Sequence, residues 1–273
     1  MHQVSFPKLG LEFRINEVAF SIGNFEIRWY AIIIAAGFLL AFLYASKRAK
    51  QFDVNEDGLF DCAIVGFFSA IIGARLYYVL FSWADYKDNL ISVLYIHEGG
   101  LAIYGGIIGA LIGGLITAKI RKVNIPGLLD LTALGFLLGQ GMGRWGNFMN
   151  QEAFGTPTDL PWGMLSDTTG GQTVHPCFLY ESLWCLLGFL LLHIYSKKFR
   201  HYKGEIGVLY LVWYGAERML VEGLRTDSLY LPFKVFGYAP RVSQLLSLGL
   251  VIAGIILLII FRNRRESNEC NNS

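Results

Sequence analysis

Seven long apolar stretches run through the sequence, and they constrain its fold more than any other feature. A transmembrane helix needs about 20 mostly apolar residues, and three of the stretches (the first, third and seventh) carry no charge at all. The seven stretches comprise residues 29–46, 62–81, 101–118, 128–143, 178–196, 206–221 and 243–261. The fourth and sixth are short and carry polar groups, so their assignment as spans rests on the surrounding pattern.

Composition excludes a soluble enzyme. Only 16% of the residues are charged, against roughly 25% in ordinary soluble domains. The stretches lack the period-two alternation of barrel strands, and only helices or closed barrels satisfy the backbone in lipid. The net charge of +2 is not the large positive charge that is typical of nucleic-acid-binding proteins. We therefore expect an all-α integral membrane protein, a bundle of seven transmembrane helices that forms one polytopic domain over residues 1–273.

The distribution of lysine and arginine predicts the orientation of this bundle. Thirteen cations follow the first, third, fifth and seventh stretches, whereas seven lie on the opposite side. The positive-inside rule then places the N-terminus outside and the C-terminus in the cytoplasm. Residues 1–28 show no pattern of a cleavable signal peptide. An extracytoplasmic loop is expected near residues 145–177, which contain no lysine or arginine and are too long for a plain connector.

Charged residues inside the spans are the first candidates for function, because their burial in lipid is costly. Arg75 lies near the middle of the second stretch, where either a functional role or structural pairing between helices explains it. Residues 143–152 are dense in polar groups at the outer end of the fourth stretch. Arg144 and Asn147 are three residues apart and can share a helix face. A guanidinium there can hold a phosphate through two parallel hydrogen bonds.

A second polar group lies on the sixth stretch. Tyr214, Arg218, Glu222 and Arg225 fall within an arc of about 80° on a helix, at about 100° per residue. Glu222 can pair with both arginines at spacings of three and four residues. Either this stripe is an ion ladder that satisfies itself, or it is an anion site in which Glu222 fixes the arginines.

Other polar residues allow plainer interpretations. His175 precedes the fifth stretch and Glu181 lies just inside it; a hydrogen bond at the helix entry explains His175 better than a base or metal ligand does. The four cysteines show no metal or redox spacing. Gly105, Gly109 and Gly113 form a small-residue ridge typical of helix packing.

Arginines, carboxylates and tyrosines in a membrane bundle fit an anionic lipid substrate. An anion or lipid transporter with intramembrane arginines, or a purely structural membrane protein, are the alternatives.

A longer pattern identifies a family. Residues 143–155 read GRWGNFMNQEAFG, which closely resembles the signature of the prolipoprotein diacylglyceryl transferase family. Further matches follow in order along nearly the whole chain: Arg28-Trp29-Tyr30, Gly73-Ala74-Arg75, EGGLAIYGG at 98–106, His175-Pro176 with Leu179-Tyr180-Glu181, and YGAERMLVEGLRTD at 214–227.

The resemblance implies a seven-span enzyme of the bacterial cytoplasmic membrane. Such an enzyme moves the diacylglyceryl group of phosphatidylglycerol onto the lipobox cysteine of a preprolipoprotein, which forms a thioether and releases glycerol 1-phosphate. The nucleophile belongs to the substrate, and the phospholipid carries its own leaving group. No cofactor, metal or nucleic acid is therefore expected.

The resemblance also assigns residues by position. It implies catalytic roles for Arg144, Arg218 and Tyr104, with His175 and Glu181 in support. It implies that phosphatidylglycerol is bound by Arg144, Arg75, Tyr30, Asn147, Glu152, Gly155, Tyr214, Glu222 and Arg225. Many family members have histidine where this chain has Tyr104, and that histidine has been proposed as the base. A tyrosine with a pKa of about 10 is a poor base at neutral pH, so either Tyr104 only positions the lipid or the proton leaves by another route.

Overall fold

Long apolar helices dominate the computed structural model, which describes residues 1–23, 25–96, 99–226, 228–231, 234 and 239–271. Two residues of the family motifs, Glu98 and Asp227, lie outside this described part. The helices are α1 (Trp29–Arg48), α2 (Glu56–Phe81), α3 (Trp83–Tyr86), α4 (Ile103–Ile120), α5 (Ile125–Asn150), α6 (Cys177–Lys198), α7 (Glu205–Glu222) and α8 (Val242–Asn271).

Six of these helices are long and apolar enough to cross a membrane: α1, α2, α4, α5, α6 and α8. The chain is therefore a multi-pass membrane protein. The sixth predicted span coincides with α7, whose whole length of 18 residues includes the four charged residues Glu205, Glu217, Arg218 and Glu222, so no uncharged stretch of membrane-spanning length remains within it. The count of seven spans and the orientation of the termini stay predictions.

The expectation of an all-α fold is wrong in one respect, because the described residues also form five short strands. Strand β1 (His2–Phe6) pairs with β2 (Leu11–Ile15) and with β5 (Leu165–Ser166), while β3 (Val18–Ile22) pairs with β4 (Phe25–Arg28). All pairs are antiparallel.

Alternation of side chains explains the first sheet. Val4 and Phe6 are buried two residues apart on β1, as the period of a strand requires, and Gly10 turns the chain towards β2 with a φ of 65°. The buried side chains pack with Met164, Val174 and Phe178. The N-terminal strands thereby hold the segment between α5 and α6, which carries several candidate site residues.

The chain divides into two compact units, one of residues 1–45 and 132–273 and the other of residues 46–131. In the first unit, two tryptophans join α6 to α7. Trp184 donates its indole N–H to the Trp213 carbonyl at 3.2 Å, and Trp213 donates to the Trp184 carbonyl at 3.1 Å. The other side of α7 meets α8 at Gly215, where a Cβ atom would lie 2.8 Å from the Ser247 carbonyl oxygen.

In the second unit, α2 and α4 pack through glycines. A Cβ atom at Gly105 would collide with the Gly73 carbonyl oxygen and the Tyr77 Cβ, and one at Gly109 would lie 3.2 Å from the Gly73 Cα. This close backbone approach confirms that the small-residue ridge is a helix-packing surface.

A Gly105→Ala substitution should therefore destabilise the protein by about 1–3 kcal/mol, because the added methyl group has no space against the α2 backbone. The measurement is thermal unfolding of the purified protein in detergent. Gly114→Ala on the same helix is the matched control, since its Cβ would approach no heavy atom closer than 3.9 Å. Equal melting temperatures for the two variants would contradict this account of the packing.

Candidate active site

One buried carboxylate gathers three arginines. Glu181 lies in the first turns of α6 with only 1% of its side chain exposed. It forms an ion pair with Arg144 Nε, accepts a hydrogen bond from Arg218 Nη1 at 2.8 Å, and has Arg225 Nη1 at 3.8 Å. Arg144 from α5 and two arginines from the C-terminal end of α7 and the residues after it therefore meet at a single side chain. We call Glu181, Arg144, Arg218, Arg225 and Glu222 the arginine cluster.

Glu222 completes the cluster at the end of α7. Its carboxylate pairs with Arg218 Nη2 one helical turn away, and 3% of the side chain is exposed. The predicted pairing between Glu222 and Arg218 is therefore confirmed. The backbone carbonyl of Glu222 accepts a hydrogen bond from Arg241 Nη1. Arg218 pairs with Glu222 on its own helix and with Glu181 on α6, so the polar stripe of α7 also connects α7 to α6.

Helix α5 extends seven residues beyond the predicted boundary at residue 143, so most of the signature segment is helical. Arg144 and Asn147 share a face as predicted, with Arg144 Nη1 donating to Asn147 Oδ1 at 3.3 Å. Asn147 Nδ2 in turn donates to Glu152 Oε1 at 2.9 Å. The helix ends where Gln151 adopts a φ of 51°. The chain therefore turns back so that Glu152 reaches the last turn of α5.

Gly155 lies at a point of close backbone approach. A Cβ atom there would lie 2.8 Å from both Cys177 Sγ and His175 Cβ. Its N–H donates to the His175 carbonyl at 2.9 Å, and its backbone forms an antiparallel bridge with Arg225. Glycine is required here for space, and the bridge holds Arg225 beside the loop that follows α5.

His175 makes the hydrogen bond at the helix entry that the sequence favours. Its Nδ1 lies 3.1 Å from the hydroxyl of Tyr180 in the first turn of α6, and Trp162 donates its indole N–H to the same hydroxyl at 2.8 Å. Burial lowers the pKa of His175 below its ordinary range, so the imidazole is neutral at pH 7.

The two predicted tyrosines of this unit flank the helices of the cluster. Tyr30 is the second residue of α1 and has its ring against Gly146, where a Cβ atom would lie 2.7 Å from the ring. This contact explains one glycine of the signature. Tyr214 is half-buried on α7, one turn before Arg218, and stacks on Tyr210 with ring centroids 5.7 Å apart.

Arg75 and Tyr104 belong to the other compact unit. Arg75 is buried and donates four hydrogen bonds to backbone carbonyls: Nε to Val93 at 2.7 Å, Nη2 to Ser92 at 2.7 Å, and Nη1 to Gly99 and Gly100 at 2.8 and 3.0 Å. These hydrogen bonds hold the segment between α3 and α4 in place. They favour a structural role for Arg75 over a functional one. Tyr104 is half-buried in the first turn of α4. Binding of substrate by Arg75 stays a prediction.

One contact that supports the site was not anticipated from the sequence. Ser182 donates to the Gly141 carbonyl at 2.7 Å and accepts a hydrogen bond from Trp145 Nε1 at 3.1 Å. It thereby joins α6 to α5 beside Glu181 and Arg144. The only sequence signal was a serine adjacent to Glu181 in an apolar stretch, which does not indicate a partner.

A Glu181→Gln substitution should lower stability by about 3–5 kcal/mol, because it leaves buried guanidinium groups without their shared counter-charge. Thermal unfolding in detergent measures the loss. The matched control is Glu152→Gln, whose side chain is more exposed and accepts hydrogen bonds from two uncharged side chains, those of Asn147 and Asn150. A melting temperature of Glu181→Gln that stays within one degree of the unmodified protein would refute the central role of this carboxylate.

Known proteins match this chain over most of its length. A family model described as prolipoprotein diacylglyceryl transferase matches residues 17–260. The chain is 45% identical over 250 residues to the phosphatidylglycerol–prolipoprotein diacylglyceryl transferase of Finegoldia magna, a match that covers 92% of this chain and 97% of that protein. It is 40% identical to the similarly named protein of Clostridioides difficile, over 93% and 98% of the two chains. Identity to the Enterococcus faecalis protein of that name is 41%, over 93% of each chain.

Proposed function

Because this chain belongs to the prolipoprotein diacylglyceryl transferase family, we propose that it transfers the diacylglyceryl group of phosphatidylglycerol to a cysteine thiol of preprolipoproteins. In this reaction the carbon–oxygen bond between glyceryl group and phosphate breaks, and a sulfur–carbon bond forms. Glycerol 1-phosphate is released. The acceptor is the lipobox cysteine of the signal peptide, and the reaction takes place in the bacterial cytoplasmic membrane.

The observation that carries this proposal is the meeting of Arg144 and Arg218 at Glu181. Three arginines face two carboxylates in the cluster, which leaves one positive charge for a phosphodiester that carries one negative charge. Arg144 Nη2 makes no hydrogen bond with any of the described residues, so this edge of the guanidinium is available to a ligand. Arg144 and Arg218 together clamp the phosphate of the lipid.

The same clamp accounts for catalysis. The barrier lies in ionising a thiol whose ordinary pKa is about 8.5 and in stabilising the phosphate as it departs. Guanidinium groups that are already fixed by Glu181 stabilise the growing negative charge without reorganising. Their field also favours the thiolate of the incoming cysteine. Holding both substrates in line at the membrane surface contributes through proximity.

The remaining predicted residues surround this clamp. Asn147 and Glu152 orient Arg144, Glu222 orients Arg218, and Gly155 holds Arg225 in place through its backbone. Tyr30 and Tyr214 contact the lipid beside them. Arg75 and Tyr104 keep the lipid-binding and catalytic roles that the family motifs imply for them, and His175 supports the entry of α6 through Tyr180.

In this proposal α7 is the sixth of seven transmembrane helices in a single polytopic domain. Its Arg218 pairs with both Glu222 and Glu181, so lipid does not have to solvate these charges. The N-terminus lies outside, the C-terminus lies in the cytoplasm, and the loop of residues 151–176 lies outside with the arginine cluster at its base.

We expect Arg218→Lys to abolish transfer, because lysine lacks the planar fork that binds Glu181, Glu222 and a phosphate together. Arg144→Ala should have the same effect. The measurement is release of glycerol phosphate from labelled phosphatidylglycerol with a lipobox peptide in detergent. Arg121→Lys is the matched control, since Arg121 makes an exposed ion pair with Asp61 at 2.6 Å. Full activity of Arg218→Lys would refute the clamp, and a protein that moves anions without releasing glycerol phosphate would be the transporter.

Tyr104 requires its own test. We expect Tyr104→Phe to keep activity within about tenfold of the unmodified enzyme, because a phenol is a poor base at neutral pH. The same glycerol phosphate assay measures this, with Tyr104→His as the comparison. A loss of several orders of magnitude in Tyr104→Phe that Tyr104→His restores would instead assign the base to this position.

A further inference from the structure

Glu217 is a buried carboxylic acid that neither the ion pairs nor the proposed clamp accounts for. It lies on α7 directly before Arg218, and only 2% of the residue is exposed. Its Oε1 atom is buried and has no hydrogen-bond partner within the described structure. Buried polar groups in proteins are nearly always hydrogen-bonded, and an orphaned one calls for a functional explanation.

The helix geometry directs Glu217 to the polar side of α7. Tyr210, Tyr214 and Glu217 fall within about 60° of one another at about 100° per residue. Tyr210 faces α5, because its hydroxyl lies 3.1 Å from Gln140 Nε2 and its ring lies 6.1 Å from that of Phe136. Gln140 in turn lies one helical turn before Arg144. Glu217 therefore lies where the row formed by Tyr210, Tyr214 and Glu217 reaches the arginine cluster.

Charges from α5, from α6 and from α7 and the residues that follow it act on Glu217. Arg144 belongs to α5, Glu181 belongs to α6, Arg218 belongs to α7 and Arg225 follows α7. The cluster carries one more arginine than carboxylates when Glu217 is left out. An ionised Glu217 balances that charge before the thiol reacts. Once Glu217 has taken the thiol proton, the whole positive charge of the cluster acts on the departing phosphate. The site can therefore hold an anionic lipid and one extra proton at the same time.

We propose that Glu217 is a catalytic residue, the base that takes the proton of the substrate thiol. This inference rests on the proposed transferase function. The S–H bond breaks and its proton passes to Oε1 of Glu217, while the sulfur attacks the glyceryl carbon. The carbon–oxygen bond then breaks, and its electron pair stays on the phosphate. Glu217 returns the proton to the departing phosphate monoester, which restores the carboxylate for the next turnover.

The test uses Glu217→Gln, which keeps the shape of the side chain and removes its ability to accept a proton. Transfer to a cysteine lipobox peptide at saturating phosphatidylglycerol and pH 7 should fall by about 10²-fold or more. Binding of a fluorescent phosphatidylglycerol analogue should stay within about twofold. Activity should recover as the pH approaches 9, because the thiol then ionises without a base.

A selenocysteine lipobox peptide separates a base from a merely structural residue, because a selenol is ionised at neutral pH. Glu217→Gln should transfer to this peptide at a rate near that of the unmodified enzyme. The matched control is Glu205→Gln, a buried glutamate at the other end of α7 that accepts hydrogen bonds from Tyr195 and from the His201 N–H. It should keep full activity on both peptides.

Several results would overturn the assignment. One is an unchanged rate of Glu217→Gln with the cysteine peptide at pH 7, and another is an equal loss with both peptides. If Glu217→Gln does not fold, Glu217→Asp replaces it, with a loss of about tenfold expected on the cysteine peptide only; equal losses on both peptides refute the base here too. Failure of the unmodified enzyme to release glycerol phosphate would instead refute the proposed function, so the two claims are tested separately.

Discussion

The site depends on one buried carboxylate, Glu181, and on the positive charges that surround it. An isolated carboxylate or guanidinium is expensive to bury, so each of these groups can occupy an apolar bundle only because the others are present. Glu181 reaches Arg144 and Arg218, which come from helices on either side of it in the chain. The ion pairs are thus a constraint on the whole first unit, because α5, α6 and α7 must approach within the reach of these side chains.

Uncharged contacts supply the precision that ion pairs alone lack. The reciprocal hydrogen bonds of Trp184 and Trp213 fix the register of α6 against α7, and Ser182 fixes α6 against α5. Each contact lies on α6 within one turn of Glu181. These contacts prevent α6 from sliding against α5 and α7. The long, flexible arginine side chains therefore extend from fixed backbone positions. This is the preorganisation that stabilisation of a departing phosphate requires.

The sequence predicted the helices well and the irregular parts poorly, for physical reasons. Apolar length identifies a membrane helix directly, and α1 begins at the first residue of its predicted stretch. Helix α5 runs beyond its prediction because polar residues such as Asn147 remain helical when their side chains find partners, which composition cannot show. The strands of residues 2–28 were not predicted; of their pairings, that of β1 with β5 joins residues more than 150 positions apart, which local spacing cannot show. Local spacing revealed Arg218 with Glu222, whereas the contact of Arg144 with Glu181 depends on tertiary packing.

Charge balance links the architecture to the chemistry. A site in which arginines and carboxylates always balanced would be stable in the empty protein but would offer no additional positive charge to the phosphate as it departs. A cluster with a fixed excess of positive charge would bind lipid and resist its departure as a more highly charged phosphate product. A carboxyl group beside the cluster whose Oε1 has no hydrogen-bond partner among the described residues, as at Glu217, allows the balance to change by one proton. The unsatisfied atom is then a requirement of turnover, because it accepts the thiol proton and so leaves the cluster positive while the phosphate departs.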